Sequence, residues 1–434
     1  MTTTEKSTAV IAKRVDTGSA ETDEIEHLVE SAGYQIGAVL TQTRESDPAY
    51  QIGEGKVSEV SAAVRRTDAS VVIFDNELGP YQTFNLGQRL PDGVEVKDRF
   101  KLILDIFGQR AQTRKAQLQV ELAELRYELP RAEAKVSLAK RDERPGFMGL
   151  GEYDESREED IKSRISRIRE ELSQIEKTEE HRRDQRRESG FDLVAMAGYT
   201  NAGKSTLMQA LAEDIEIGEN EERHPDLETT AEAQDNLFTT LGTTTRRLGM
   251  NRRDVLLTDT VGFISDLPHW LVESFKSTLE SVYQADLVLL VVDVSEPVDE
   301  IRDKLSTCHD TLYERNEAPI ITVLNKIDKV SDDELVEKQE KLAALAPNPV
   351  PVSALEKINL DLLQERIDRG LPPLEHERLV IPMTDETMSI ISWVHDNAYV
   401  ENVSYEDEQV VVEFEAKKSV IEKTHAKVQS LPAV

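Results

Sequence analysis

The stretch GYTNAGKST, residues 198–206, fits the pattern G-x-x-x-x-G-K-[ST], and its neighbours decide how it folds. Before it runs FDLVAMA (191–197), apolar without alternation, as a strand covered on both faces requires. After it, TLMQALAED (206–214) reads as the start of a helix. A strand, a glycine-bearing turn and a helix N-terminus in that order form a cradle for phosphate. The glycines let backbone N–H groups turn inward, and the helix adds its positive end. Here the cradle comprises Gly198, Tyr199, Thr200, Asn201, Ala202, Gly203, Lys204, Ser205 and Thr206. Lys204 is expected to neutralise the β and γ phosphates and Ser205 to ligate Mg²⁺.

The base is read from a second motif. Asn325-Lys326-Ile-Asp328 closes the strand IITVL. A carboxylate there accepts both N1–H and the exocyclic amine of guanine, and adenine offers no such pair of donors. A site built on that pair rejects the wrong base, because its own group is left without a partner. Asp328 is thus the expected specificity residue, Asn325 supports loop and base, and Lys326 lies along the ring. Ser353, Ala354 and Leu355 follow another strand, where a backbone N–H can reach the guanine carbonyl. In Asp259-Thr260-Val261-Gly262 the carboxylate is expected to hold Mg²⁺ through water, and the Gly262 N–H to sense the γ-phosphate. Four motifs in this order imply GTP and GDP as ligands.

Around these motifs, DVLLTDT (254–260), DLVLLVVDV (286–294), PIITVLNKI (319–327) and NPVPVSA (348–354) are further strands rich in Val, Ile and Leu. The fold class is α/β: a P-loop domain with a doubly wound, mostly parallel sheet over 190–373. Residues 1–96 alternate strands (AVIAKRV, IGAVLTQ, SVVIFDN) with helices and read as a small N-terminal α/β domain. Gly53-Glu54-Gly55 in that domain is better read as a plain strand–helix turn than as a phosphate contact. In 97–189 two apolar seams, Leu118 to Ala139 and Ile161 to Ile175, step by threes and fours. Split by RPGFMGLGEY (144–153), they predict an antiparallel helical hairpin, kinked or interrupted at Pro130. Residues 374–434 read as a small C-terminal α+β domain.

Net charge is −32, which argues against a nucleic-acid partner until its distribution is considered. Residues 101–190 hold 20 Lys+Arg and 20 Asp+Glu, so the whole excess lies outside them. Any RNA contact is expected in that segment, with RRDQRR (182–187) as its focus. One cysteine, Cys308, excludes an internal disulfide framework and suits a reducing cytoplasm. The longest apolar run, Leu287–Val294, falls far short of a membrane span, and no secretory signal is read. A cytoplasmic monomer without membrane contact is expected. The eight histidines show no zinc-binding spacing.

The chain resembles the HflX family of translational GTPases along nearly its whole length. The resemblance rests on GYTNAGKSTL, on DTVGFI (259–264), and above all on LILDIFGQRAQTRKAQLQVELAELRYELPR (102–131). QIGEGKV (51–57) and FDNELGPYQTFNLG (74–87) resemble that family's N-terminal domain. It implies a GTPase that binds the large ribosomal subunit and its rRNA and is associated with splitting or rescuing stalled ribosomes. The family's TLDPTTR segment reads TLGTTTR here (240–246), leaving Thr244 and Thr245 as candidate Mg²⁺ ligands in the GTP state, with Thr243 blurring the register. Residues 213–235 resemble an acidic insertion, with ten acidic residues and one arginine, and are expected to be mobile.

Turnover raises two further expectations. Phe263 stands where Ras-like enzymes carry a water-positioning glutamine, so intrinsic hydrolysis should be slow and raised by a partner. Lys204, Thr244, Thr245, Gly262 and Asn201 are the candidate catalytic residues. Asn201 either ligates K⁺ against the phosphates or makes a loop-structuring hydrogen bond. Two other readings remain: a GTP-gated scaffold with incidental turnover, and a tRNA-modification GTPase. The second normally needs a reactive C-terminal cysteine, whereas this chain ends SLPAV.

Overall fold

The computed structural model describes residues 7–142, 151–188, 190–212, 244–250, 252–259, 262–263, 271, 282–312, 317–384, 386–406 and 408–430. Residues 213–235, Thr243, Thr260 and Val261, singled out above, lie outside these. The chain divides into two compact units, the first running to Gln174 and the second beginning at Ile175.

In the first unit, β1 (Thr8–Val15), α1 (Asp23–Ser31), β2 (Gln35–Thr43), α2 (Glu54–Thr67), β3 (Val71–Phe74), α3 (Pro80–Arg89) and β4 (Glu95–Asp98) build a four-stranded sheet. Its order is β2-β1-β3-β4 and every pairing is parallel. Val10, Ala12, Val72 and Phe74 meet Val57, Val60 and Val64 of α2 in one apolar core. The sequence reading lacks α3 and β4. Four residues of β4 are too few to show a period. The α3 sequence PYQTFNLGQR has no apolar stripe; it starts because Pro80 suits the first helical position and Gln82 Oε1 accepts Gly79 N–H at 2.9 Å.

Next come α4 (Arg99–Arg110), α5 (Arg114–Asp142) and α6 (Gly151–Glu188). Along the hairpin, Arg114 pairs with Glu171, Glu121 with Arg164 and Glu128 with Arg157. Each step of seven on α5 is matched by a step of seven backwards on α6. That is the register of antiparallel helices with a heptad seam, and Leu118, Leu122, Leu125, Ile161, Ile165, Ile168 and Leu172 are buried along it. Part of this segment's charge balance is structural: Arg114, Arg157, Lys162 and Arg164 each meet a carboxylate of the opposite arm.

Of the two outcomes expected at Pro130, interruption does not occur: α5 runs on from Arg114 to Asp142. The residue after the proline explains how the helix continues. Arg131 donates from Nη1 to Tyr127 O at 3.0 Å and from Nη2 to Leu78 O at 2.9 Å, and it pairs with buried Asp98 at 3.1 Å. Side-chain bonds thus secure the turn where proline removes a backbone donor.

In the second unit, β5 (Asp192–Gly198), α7 (Lys204–Ala212), β6 (Thr244–Met250), β7 (Arg253–Asp259), β8 (Leu287–Asp293), α8 (Val298–Leu312), β9 (Ile320–Asn325), α9 (Asp332–Leu342), β10 (Val350–Pro351) and α10 (Leu360–Gly370) follow in order. The sheet order is β10-β9-β8-β5-β7-β6, parallel except that β6 runs against β7. Because β7 and β8 flank β5 on opposite sides, connections leave β5 in both directions. The crevice at its carboxyl end is where open α/β sheets take ligands.

The same unit ends with β11 (Glu375–Pro382), α11 (Thr387–Asn397), β12 (Tyr399–Tyr405), β13 (Gln409–Ala416) and α12 (Lys418–Gln429). This antiparallel sheet, ordered β11-β13-β12, buries Leu379, Ile381, Val410, Val412 and Phe414 against Ile390, Val394 and Val420 of its helices. Asp192, fully buried at the start of β5, receives Lys417 Nζ at 2.6 Å and Arg253 Nη1 at 3.1 Å. One carboxylate therefore links β5, β7 and the C-terminal layer.

Candidate functional site

At the carboxyl end of β5 the backbone turns back on itself, and two glycines permit it. Gly198 has φ +143° and Gly203 φ +91°, both in the region that disfavours side chains. A β-carbon on Gly198 would strike Val291 O, and one on Gly203 would strike Asn325 Nδ2. Asn201 also sits left-handed, at φ +64°. Lys204 opens α7 and is only 8% exposed. Its Nζ donates to Gly198 O and Tyr199 O, both at 3.0 Å. Burial lowers its pKa, and the nearby Asp259 works in the opposite direction. Two carbonyls fix this ammonium without neutralising it, so an anion in the cradle completes it.

Asp259, at the end of β7 and 1% exposed, accepts the Ser205 hydroxyl at 2.9 Å. A hydroxyl and a carboxylate oxygen side by side at a helix start are hard donors of the kind Mg²⁺ takes. Phe263 N–H donates to Gly198 O at 3.0 Å, and Thr200 N–H donates to Phe263 O at 2.9 Å. This pairing brings Gly262 so close that an added β-carbon would lie 2.8 Å from both Lys204 Nζ and Thr200 Cγ2. No side chain fits there.

The base-side loops are joined to the cradle by one amide. Asn325, 2% exposed, donates from Nδ2 to Ala202 O at 2.8 Å and accepts Ala354 N–H on Oδ1 at 3.0 Å. Ser353, buried, donates its hydroxyl to Asp328 Oδ1 at 2.6 Å. Asp328 is itself exposed, as is Leu355. Lys326 adopts φ +67° and pairs with Asp293 at 2.6 Å.

Most residues singled out from the sequence therefore converge: the 198–206 loop, Asp259, Gly262, Asn325, Lys326, Asp328, Ser353 and Ala354. Thr245 does not join them in this conformation, because its hydroxyl hydrogen-bonds Thr258 across the β6–β7 ladder at 3.1 Å. Thr244 is the residue in register with Asp259. Three residues escaped the sequence reading: Asp293, Lys304, whose ammonium stands 5.0 Å from the Tyr199 ring centroid, and buried Lys338. For Asp293 there was a signal, a lone carboxylate closing the apolar strand LVLLVVD. Burial pushes its pKa up, but Lys326 and Ser295 outweigh that and hold it below the usual aspartate value. Among the described residues no histidine, cysteine and carboxylate cluster suits a metal, and no helix is long and apolar enough to cross a membrane.

This fold and site define a P-loop GTPase. Comparison with known proteins narrows the class. Family models described as GTP-binding GTPase N-terminal, GTP-binding GTPase Middle Region and 50S ribosome-binding GTPase match residues 19–108, 110–186 and 193–326. GTPase HflX of Methanocaldococcus jannaschii is 42% identical over 400 residues, covering 91% of this chain and 93% of the relative. GTPase HflX of Escherichia coli is 38% identical over 325 residues, covering 74% and 72%. A crystal structure of SsGBP in complex with GDP superposes with a TM-score of 0.50 at 25% identity, covering 84% of this chain and 98% of that one. The chain belongs to the HflX family of GTPases.

Proposed function

We propose that the second unit binds GTP and GDP with Mg²⁺, hydrolyses GTP slowly by itself, and uses that cycle to gate association with the large ribosomal subunit. One observation carries the nucleotide assignment: the Asn325 amide ties Ala202 of the phosphate loop to Ala354 of the base loop. Phosphate and base recognition thus share one frame. In it Lys204 meets the β and γ phosphates, and the N–H groups of the loop receive their oxygens. Asp328, oriented by Ser353, accepts the two guanine donors, and a backbone N–H near Ala354 meets the guanine carbonyl. Ser205 and Asp259 are the Mg²⁺ donors, with Thr244 added in the triphosphate state; the ion supplies charge neutralisation to the phosphate oxygens. Calorimetry with GDP and ADP tests the assignment. A strong GDP preference is expected, and equal affinities would refute it.

Phe263 offers no donor or acceptor to a water, so turnover depends on what completes the site. Asn201 is the proposed K⁺ ligand, and single-turnover hydrolysis should be faster in KCl than in NaCl at matched ionic strength. Equal rates would leave Asn201 with a structural hydrogen bond only. The match to a 50S ribosome-binding GTPase model supports the ribosomal partner. Sedimentation with ribosomes and a non-hydrolysable GTP analogue should carry the protein into the large-subunit fraction, and GDP should release it. Splitting or rescue of stalled ribosomes is the proposed outcome of that binding. Charge reversal at Arg182, Arg183, Arg186 and Arg187 is expected to weaken it. Phe263 also favours a second reading, a GTP-gated scaffold, which predicts that ribosomal subunits leave kcat unchanged.

A further inference from the structure

The nucleotide scheme above leaves one buried carboxylate without a task. Asp293 closes β8, and both of its oxygens are in use. Oδ2 takes Lys326 Nζ at 2.6 Å, while Oδ1 takes the Ser295 N–H at 2.9 Å and its hydroxyl at 2.6 Å. The loop behind it is braced from two sides. Lys338 of α9 donates to Val294 O at 2.7 Å and Glu296 O at 2.9 Å, and pairs with Glu334 at 2.6 Å. Val294 N–H donates to Asn325 O at 3.0 Å. Glu296 in turn holds Lys304 at 2.6 Å, the same ammonium that faces the Tyr199 ring. Residues 293–296 therefore join the base-reading segment to the phosphate loop.

Lys326 has two features that call for such an anchor. Its left-handed backbone is one that side chains adopt only at a cost. Its stem also crosses the cradle: Cε lies 4.0 Å from where a β-carbon on Gly203 would stand. An unanchored lysine has four rotatable bonds and would lose that freedom on covering a base.

We propose that Asp293 is a positioning residue for guanine-nucleotide binding: by fixing the Lys326 ammonium it lays the lysine stem as a ready wall for the base beside Gly203. The role rests on the assignment of the base to Asn325–Asp328, so the experiment separates the two. Calorimetry with GDP and Mg²⁺ on the full-length Asp293→Asn protein should show affinity reduced on the order of tenfold, the scale of one charge-assisted hydrogen bond. In a Lys326→Met background the same substitution should change nothing further, because the group it acts through is gone. IDP, which lacks the exocyclic amine, should weaken by the same factor as GDP in Asp293→Asn, whereas Asp328→Ala should shrink the GDP/IDP ratio. Ser295→Ala removes one hydroxyl from Asp293 without touching the ion pair, and a roughly threefold loss is expected. It provides the reading should Asp293→Asn fail to fold. Unchanged affinity in the foldable variant, or an equal loss with the lysine already replaced, overturns the proposal. Equal binding of ADP and GDP by the unsubstituted chain would instead remove the base assignment, and this role with it.

Discussion

Both units contain a parallel sheet whose carboxyl edge carries glycine-bearing loops and buried charge, yet the two edges are finished differently. In the first unit the charges satisfy one another. Asp75, just after β3, receives Arg99 at 2.6 Å and Lys13 at 2.7 Å, and Arg99 also takes Glu24 at 2.8 Å. Asn76 bridges to the Arg14 backbone with two bonds of 2.8 Å. At Gly53 the Arg44 guanidinium occupies the space a β-carbon would take, and Gly53 N–H is held by Gln42 Oε1 at 2.9 Å. In the second unit Lys204 is just as deeply placed, but among the described residues its ammonium hydrogen-bonds only carbonyls, with Asp259 nearby rather than paired to it. Asp328 has an exposed carboxylate with one oxygen held by Ser353. A glycine turn at a sheet edge is therefore insufficient to define a site. The discriminating feature is whether the buried charge has been cancelled from within. The first edge is a closed joint, and the second is a receptor.

This contrast can be broken or sharpened by substitution. The largest effect is expected at the receptor: Lys204→Ala should weaken GTP binding by at least ~100-fold with little change in unfolding, as read by calorimetry and thermal melting. At the joint the pattern should reverse. Asp75→Ala leaves buried Arg99 with Glu24 alone and half-buried Lys13 without its carboxylate, and should destabilise the first unit by about 2–3 kcal/mol, measured by denaturant unfolding, with GDP affinity unchanged. Loss of nucleotide binding in that variant would show that the joint was misread. A third test changes the receptor rather than abolishing it. Asp328→Asn swaps an acceptor for a donor, so preference should move from GDP to XDP, whose C2 carries a carbonyl, by roughly 10–100-fold in the affinity ratio. The smallest effect belongs to the hairpin, where Arg164→Glu opposes Glu121. The melting temperature should fall by roughly one or two degrees at low salt and by less at high salt.

The contrast also explains what the sequence disclosed. The cradle was legible because the residues of GYTNAGKST act as neighbours in the chain, and NKID and DTVG because spacing within each motif carries its chemistry. The doubly wound sheet was legible because its strands are continuous apolar runs. Asp293 with Lys326, and Asp75 with Arg99, are pairings across the fold, and no local period announces them. The hairpin shows the same boundary. Its seams were evident from Leu118 and Ile161 onward, whereas the matching of Glu121 to Arg164 needs the antiparallel register. That register commits Arg114, Arg157 and Arg164 to ion pairs between the two arms. Continuity of α5 through Pro130 was hidden for a related reason, since Leu78 O and Asp98, which accept from Arg131, lie far away in sequence.

Arg131 has a mechanical consequence. It clamps α5 immediately after the one residue that weakens the helix backbone, and eleven further residues, about 17 Å of helix, run past the clamp to Asp142. With the clamp in place, that overhang behaves as a cantilever whose root is the N-terminal sheet. Were the guanidinium lost, the weakest point of the rod would become a hinge, and every degree of rotation there would displace the outer end by about 0.3 Å.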